Sequence, residues 1–244
     1  MLRRRYYRIL FFFASVFLSF IWWEMIVARL GFRRWVRQTR IARLKKAASR
    51  FRNLAIQMGG VMIKAGQFLS ARLDVLPSEI TDELSGLQDE VPAEDFEPIK
   101  ALIESEFGMR LEEKFSDFNH TPMAAASIGQ VYYAHLCVQD LEGVPCPAVV
   151  VKVQRPHIRE IVGTDLSAIR IVGKWLNRYR PIRKRADMLT LIDEFSNSLA
   201  EEMDYLQEGR NAETFAAHFK DHPGVRVPNV IWSHTPEKVL TRQD

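Results

Sequence analysis

Cysteine is scarce in this chain: Cys137 and Cys146 are the only two in 244 residues. Neither sits in a CxxC or Cys/His cluster, which excludes the usual zinc-ligand spacings and a disulfide framework. Acidic residues are missing from one region in particular. Residues 1–52 hold 14 Lys and Arg against a single acid, Glu24, a local charge of +13, and the remainder carries 20 bases against 29 acids, or −9. The overall +4 therefore conceals two parts that face different partners. With 47% apolar and 26% charged residues, the chain is a folding sequence able to bury one or two cores, not a disordered polymer.

The basic residues of the N-terminal part bracket an apolar segment, Ile9 to Ala28, reading ILFFFASVFLSFIWWEMIVA. Its 20 residues match the length a helix needs to cross about 30 Å of hydrocarbon, and Tyr6, Tyr7, Trp22 and Trp23 stand where an aromatic belt would lie. Glu24 is costly in hydrocarbon, so a shallow, re-entrant or in-plane helix stands beside a spanning one, and a buried helix of a soluble core is the alternative to both. No small-x-small cleavage site follows, which disfavours a signal peptide. Arg29, Arg33, Arg34, Arg37, Arg40, Arg43, Lys45 and Lys46 form a basic helix after it. The expected partner is membrane lipid and not nucleic acid, with the rest of the chain on the cytoplasmic, or organellar matrix or stromal, side.

From Phe51 onward the apolar positions Leu54, Met58, Val61, Met62, Phe68, Leu69 and Leu73 recur at helical spacing, and Pro77-Ser78 starts a second helix. The first contains Lys64-Ala65-Gly66-Gln67, where Lys64 and Gln67 share a face and the small residues between them admit a close neighbour. A third helix is expected at about Asp95 to Phe107, with Gly108 as its stop.

Two β-type runs follow, Gln130 to Val138 and Ala148 to Val153, after a small-residue loop, Ala124-Ala125-Ala126-Ser127-Ile128-Gly129. The second run is β-branched and apolar except for Lys152, which either points to solvent or is reserved for an anion. The loop lacks a GxGxxG pattern. In a kinase-like fold, such a lip lets backbone N–H groups approach phosphates while the strand lysine holds their oxygens.

Beyond an amphipathic stretch, Ile158 to Tyr179, one long helix is expected from about Asp187 to Phe219. At 100° per residue its Asp204 and Glu208 lie about 40° apart, and Glu202 and Glu208 about 120° apart, so the helix either serves two partners or simply presents a solvated acidic face. Val225 to Ile231 and Lys238 to Thr241 read as two short strands extending the hairpin sheet.

Four motifs in this order, Lys64-Ala-Gly-Gln67, the Ala124–Gly129 loop, Val-Val-Lys152-Val-Gln-Arg-Pro, and Glu202-Met-Asp204 with Glu208, resemble the UbiB/AarF-type atypical protein-kinase-like family associated with ubiquinone biosynthesis. The resemblance covers about Phe51 to Thr241. It implies an α+β fold: a kinase-like N-terminal lobe of a small antiparallel sheet plus a long helix over residues 116–244, preceded by a helical extension over 51–115 and a membrane helix with its basic helix over 1–50. It implies ATP or ADP with Mg2+ as cofactor. Lys152 would bind nucleotide with Glu208 as its ion-pair partner, Ala124, Ala125, Ala126, Ser127 and Gly129 would line the phosphates, and Lys64 and Gln67 would close the groove near Glu202 and Asp204. Quinone-biosynthesis proteins or lipid intermediates would be its partners.

A kinase-like enzyme also needs a catalytic-loop Asp and Asn and a metal-binding Asp. No His-x-Asp with a following Asn and no Asp-Phe-Gly occurs here. The expectation is therefore an N-terminal portion of a longer protein, with the metal ligands in a C-terminal lobe and no ATP turnover by the 244 residues alone. The alternative is a membrane-anchored scaffold that keeps the lobe for interaction.

Overall fold

The computed structural model describes residues 2–74, 76–88, 91–137, 148–184 and 186–243. Val138 and Cys146 of the expected hairpin lie outside them. In chain order the elements are α1 (Leu2–Ile21), a π-helical stretch (Trp22–Phe32), α2 (Arg33–Met58), α3 (Val61–Ser70), α4 (Ser78–Ser85), α5 (Phe96–Phe107) and α6 (Leu111–Lys114). Then come β1 (Phe115–Phe118), β2 (Ala124–Ala125), β3 (Gly129–Leu136), β4 (Ala148–Gln154), α7 (Ile158–Arg178), α8 (Arg180–Arg183), α9 (Met188–Glu202), α10 (Tyr205–His218) and β5 (Val239–Gln243). This is the mixed helix and sheet fold expected, with a long apolar N-terminal helix and one small antiparallel sheet.

The described chain forms two compact units that interleave along the sequence: Met1–Val91 with Arg159–Asn197, and Pro92–Ile158 with Ser198–Asp244. In the first unit, α1 and α2 run antiparallel. Phe12 and Phe13 place their rings 6.0 and 5.8 Å from Phe51, and Arg43 pairs with Glu24 at 3.3 Å. The reversal falls at Gly31, whose φ of 95° only glycine adopts freely. The helix expected from residue 51 to 73 is in fact two. Gly59 and Gly60, at φ 64° and 52°, end α2 and begin α3, because both take backbone that a side chain would strain. Gly66 of the Lys64–Gln67 motif has a packing reason too, since a Cβ there would run into the buried Leu87 side chain.

In the second unit the strand order is β1-β3-β4-β5, all antiparallel, with β2 on β3. Alternation sorts the faces as the strand period dictates. Tyr132, Ala134, Val149, Val151 and Val153 join Ile99 and Ile103 of α5 in the core. Lys152, opposite Val131 and Leu240, therefore points to the other face. Of the two short strands expected near the end, only the second forms. Val225–Ile231 contributes one bridge, Val230 to Arg242, and is otherwise irregular.

Candidate functional site: a lysine on β4 and the start of α10

The helix expected from 187 to 219 is broken, and the break builds the site. α9 ends at Glu202, Met203 is a turn, and Asp204 caps α10 by accepting from the Gln207 backbone N–H at 2.9 Å. An Asp at this position satisfies an orphan N–H and complements the helix dipole, so a new helix begins instead of the old one continuing. The angles drawn for one continuous helix therefore do not apply to Glu202 and Asp204. Gln154, buried at the end of β4, donates from Nε2 to the Met203 carbonyl at 2.6 Å and ties the break to the sheet.

This register places Glu208, in the first turn of α10, over the polar side of β4. Its carboxylate is shared: Oε2 accepts from Lys152 Nζ at 2.8 Å and Oε1 from the Arg242 guanidinium at 3.1 Å. Lys152 also sits 4.7 Å from the centre of the Tyr205 ring, which holds the ammonium from below in a cation–π contact. Tyr205 is 1% exposed, and its phenol is pushed above its usual range, first by burial and then by Glu208 and Glu202. Lys152, Glu202, Asp204, Gln207, Glu208 and Asn211 line an open groove of about 860 Å³. Lys152 stays about 30% exposed and reachable at one end of the groove, where it shares Glu208 with Arg242, while Glu201, Glu202 and Asp204 make the rest of the lining acidic.

The small-residue loop is a tight turn. Ala124 and Ala125 pair with Val131 and Gln130, and Ala126 N–H donates to the Gly129 carbonyl at 2.8 Å. Ser127 and Ile128 are buried, leaving Ala124 and Ala126 as its exposed members. Arg155, 6% exposed, fastens the turn by donating to the Ala126 carbonyl at 3.0 Å, to the Pro92 carbonyl and to Glu94, both at 2.6 Å. Gly129 must be glycine: a Cβ would meet the Val153 carbonyl oxygen at 2.7 Å and the Tyr205 hydroxyl.

A model of the ABC1 atypical kinase-like domain matches residues 86–243. The chain belongs to the ABC1 family. It is 36% identical over 84% of its length to the Arabidopsis thaliana protein Activity of bc1 complex kinase 8, chloroplastic, and 40% identical over 82% to kinase 3 of the same series. An uncharacterized Synechocystis protein is 38% identical over 81% of the chain. These matches cover 26%, 27% and 34% of the relatives, so the ABC1 chain spans about a quarter to a third of their length. Among solved structures, it resembles a Mycobacterium tuberculosis protein determined with erythromycin, at a TM-score of 0.51 and 29% identity, over 82% of this chain and 48% of that one.

Of the site residues named from sequence, the ABC1 lobe brings Lys152, Glu202, Asp204 and Glu208 to one groove, with Gly129 packed against Tyr205 beside it. Lys64 and Gln67 belong to the first unit, where Gln67 donates to the Leu87 carbonyl at 3.2 Å. Arg242, Tyr205, Gln154 and Arg155 were not singled out from sequence. Gln154 and Arg155 were legible only as part of the motif around Lys152, and nothing in the local pattern marks Arg242 or Tyr205.

Proposed function

We propose that this ABC1 chain is the nucleotide-binding portion of an atypical kinase or ATPase that works at a membrane in the biosynthesis of isoprenoid quinones. The ion pair between Lys152 and Glu208 carries the reading. It is the arrangement a kinase-like lobe uses to hold a strand lysine ready for phosphate oxygens. A side chain both anchored and about 30% exposed fits that task. ATP would supply the transferable phosphoryl group. Lys152 would hold its phosphates, the fastened turn at Ala124–Gly129 would limit their position, and Tyr205 and Glu208 would orient Lys152. Among the described residues, no group of three or more His, Cys, Asp or Glu is arranged for a metal ion.

Kinase names among the relatives support the nucleotide reading, and their chloroplast assignment is compatible with an organellar membrane. α1 and the π-helical stretch are long and apolar enough to cross or enter one. Lipid-related substrates fit a family tied to quinone synthesis.

Titration of the full chain with a fluorescent ATP or ADP analogue tests the proposal. Saturable binding, weakened at least tenfold by Lys152→Ala in a variant with unchanged circular dichroism, is expected. No binding, or equal binding by both proteins, would leave the scaffold reading in its place.

A further inference from the structure

The N-terminal segment is long enough to span a bilayer, but its attachments within the first unit decide how it can meet one. Arg5, near the start of α1, makes a bidentate ion pair with Asp165 of α7, through Nε and Nη2 at 2.7 Å each. The Asp165 side chain is 0% exposed and that of Arg5 12%. Arg5 also donates to the Met58 carbonyl at 2.6 Å and the Gly59 carbonyl at 3.3 Å, at the C-terminal end of α2. One guanidinium thus gathers the first turn of α1, the last turn of α2 and the middle of α7. Further along, Phe20 packs edge-on against Tyr179 at 5.5 Å, so α1 lies parallel to α7 over some fifteen residues.

These contacts are incompatible with α1 crossing a membrane alone. Its N-terminus would have to leave Asp165 behind as a buried, unpaired carboxylate. Nor can the hairpin cross as a whole, because α2 would carry nine Lys and Arg into hydrocarbon. What remains is contact from one side. Tyr7, Phe11 and Leu18 fall within about 40° on a helical wheel and are 55%, 77% and 64% exposed, giving α1 an apolar outward stripe. Arg33, Arg34, Arg37, Lys45 and Lys46 on α2 are exposed as well. Between α1 and α7, an open groove of about 410 Å³ walled by Phe17, Leu18, Trp175 and Tyr179 offers room for an acyl chain, with Arg178 also on its lining.

We infer that the α1–α2 hairpin is a one-sided docking surface for an anionic lipid bilayer: α1 lies in the plane of one leaflet, both its ends stay on the same side as the rest of the chain, and the cations of α2 meet the phosphates of the headgroups. The inference rests on the membrane reading above and sharpens it. Apolar area and charge act together in such surfaces, so binding depends on anionic lipid and weakens with salt.

The test uses the full chain carrying Cys137→Ser and Cys146→Ser, expressed in bacteria, in inverted inner-membrane vesicles. Arg4→Cys reports the start of α1 and Asn53→Cys the end of α2, each read with a membrane-impermeant maleimide. The inference requires equal labelling of both positions without detergent. Labelling of Arg4→Cys only after detergent, with the chain still in the membrane pellet, overturns it while the membrane reading survives. A chain that never pellets with the vesicles overturns both. In a companion measurement, purified chain sediments with phosphatidylglycerol vesicles at least tenfold better than with phosphatidylcholine. Phe11→Glu with Leu18→Glu abolishes the difference, and equal sedimentation with the two lipids counts against the inference.

Discussion

Gln154 donates its side-chain amide to the backbone carbonyl of Met203 at 2.6 Å, joining the end of the lysine-bearing strand to the break between α9 and α10. Because Gln154 is buried, its replacement by Ala leaves that carbonyl without its partner and opens a small cavity. A loss of about 1–3 kcal/mol is expected, read as a lower urea midpoint with an unchanged slope. Nucleotide affinity should fall in the same variant, since the break sets the position of Glu208.

Asp204, the residue after Met203, caps α10 at this same break. Removing the cap with Asp204→Ala costs about 1 kcal/mol, whereas Asp204→Ser or Asp204→Asn keeps an acceptor for the Gln207 N–H and should cost only a few tenths. Chemical denaturation of the three variants separates a capping role from one that needs the charge: if all three lose nucleotide binding equally, the carboxylate itself is required.

Glu208 holds two cations but is about a third exposed, so its contribution to stability is small. Glu208→Gln should shift the urea midpoint little and weaken binding of the nucleotide analogue about tenfold, because Lys152 loses its anchor. A midpoint that falls sharply while binding holds would show the carboxylate to be structural only.

Tyr205 is buried, and its hydroxyl makes no hydrogen bond among the described residues. Tyr205→Phe should therefore be neutral or slightly stabilising at pH 7. The sign of the alkaline effect follows from the raised phenol: the folded state keeps its proton where the unfolded state loses it, so the stability it contributes declines as pH rises above 10. Wild type should lose stability above pH 10 relative to Tyr205→Phe in denaturation curves taken from pH 7 to 11.

The Arg5–Asp165 pair is the most buried ion pair described in the first unit. Burial pushes the Asp165 carboxyl above its usual range against the opposing pull of Arg5. Arg5→Ala removes that pull and should cost about 3–5 kcal/mol, read as a fall in thermal midpoint. Arg8→Ala, whose partner Gln57 is exposed, serves as the neutral control.

Several parts of this fold were legible as pattern. The β3 and β4 runs, the α5 stop at Gly108, the amphipathic α7 and the long apolar start all follow from periods and punctuation that act over a few residues. Misreadings share a physical cause. Apolar spacing continues across Gly59–Gly60 and across Met203–Asp204, so periodicity alone joins helices that glycine backbone or an Asp cap separates. Val225–Ile231 has strand composition but only one bridge, because strand formation depends on a partner with free ladder positions.

By itself the sequence determined which side chains carry charge near the groove and that a lysine stands alone among β-branched neighbours on β4. It also determined the apolar, acid-poor character of the N-terminus, because these properties depend on residue type and short spacing. Only the tertiary structure decided that Glu208 is shared between Lys152 and Arg242, since β5 joins the sheet across a long separation in sequence. It alone decided that Arg5 is fastened to Asp165, 160 residues away. Contacts of that range come from packing, where buried charges must find partners whatever their distance along the chain.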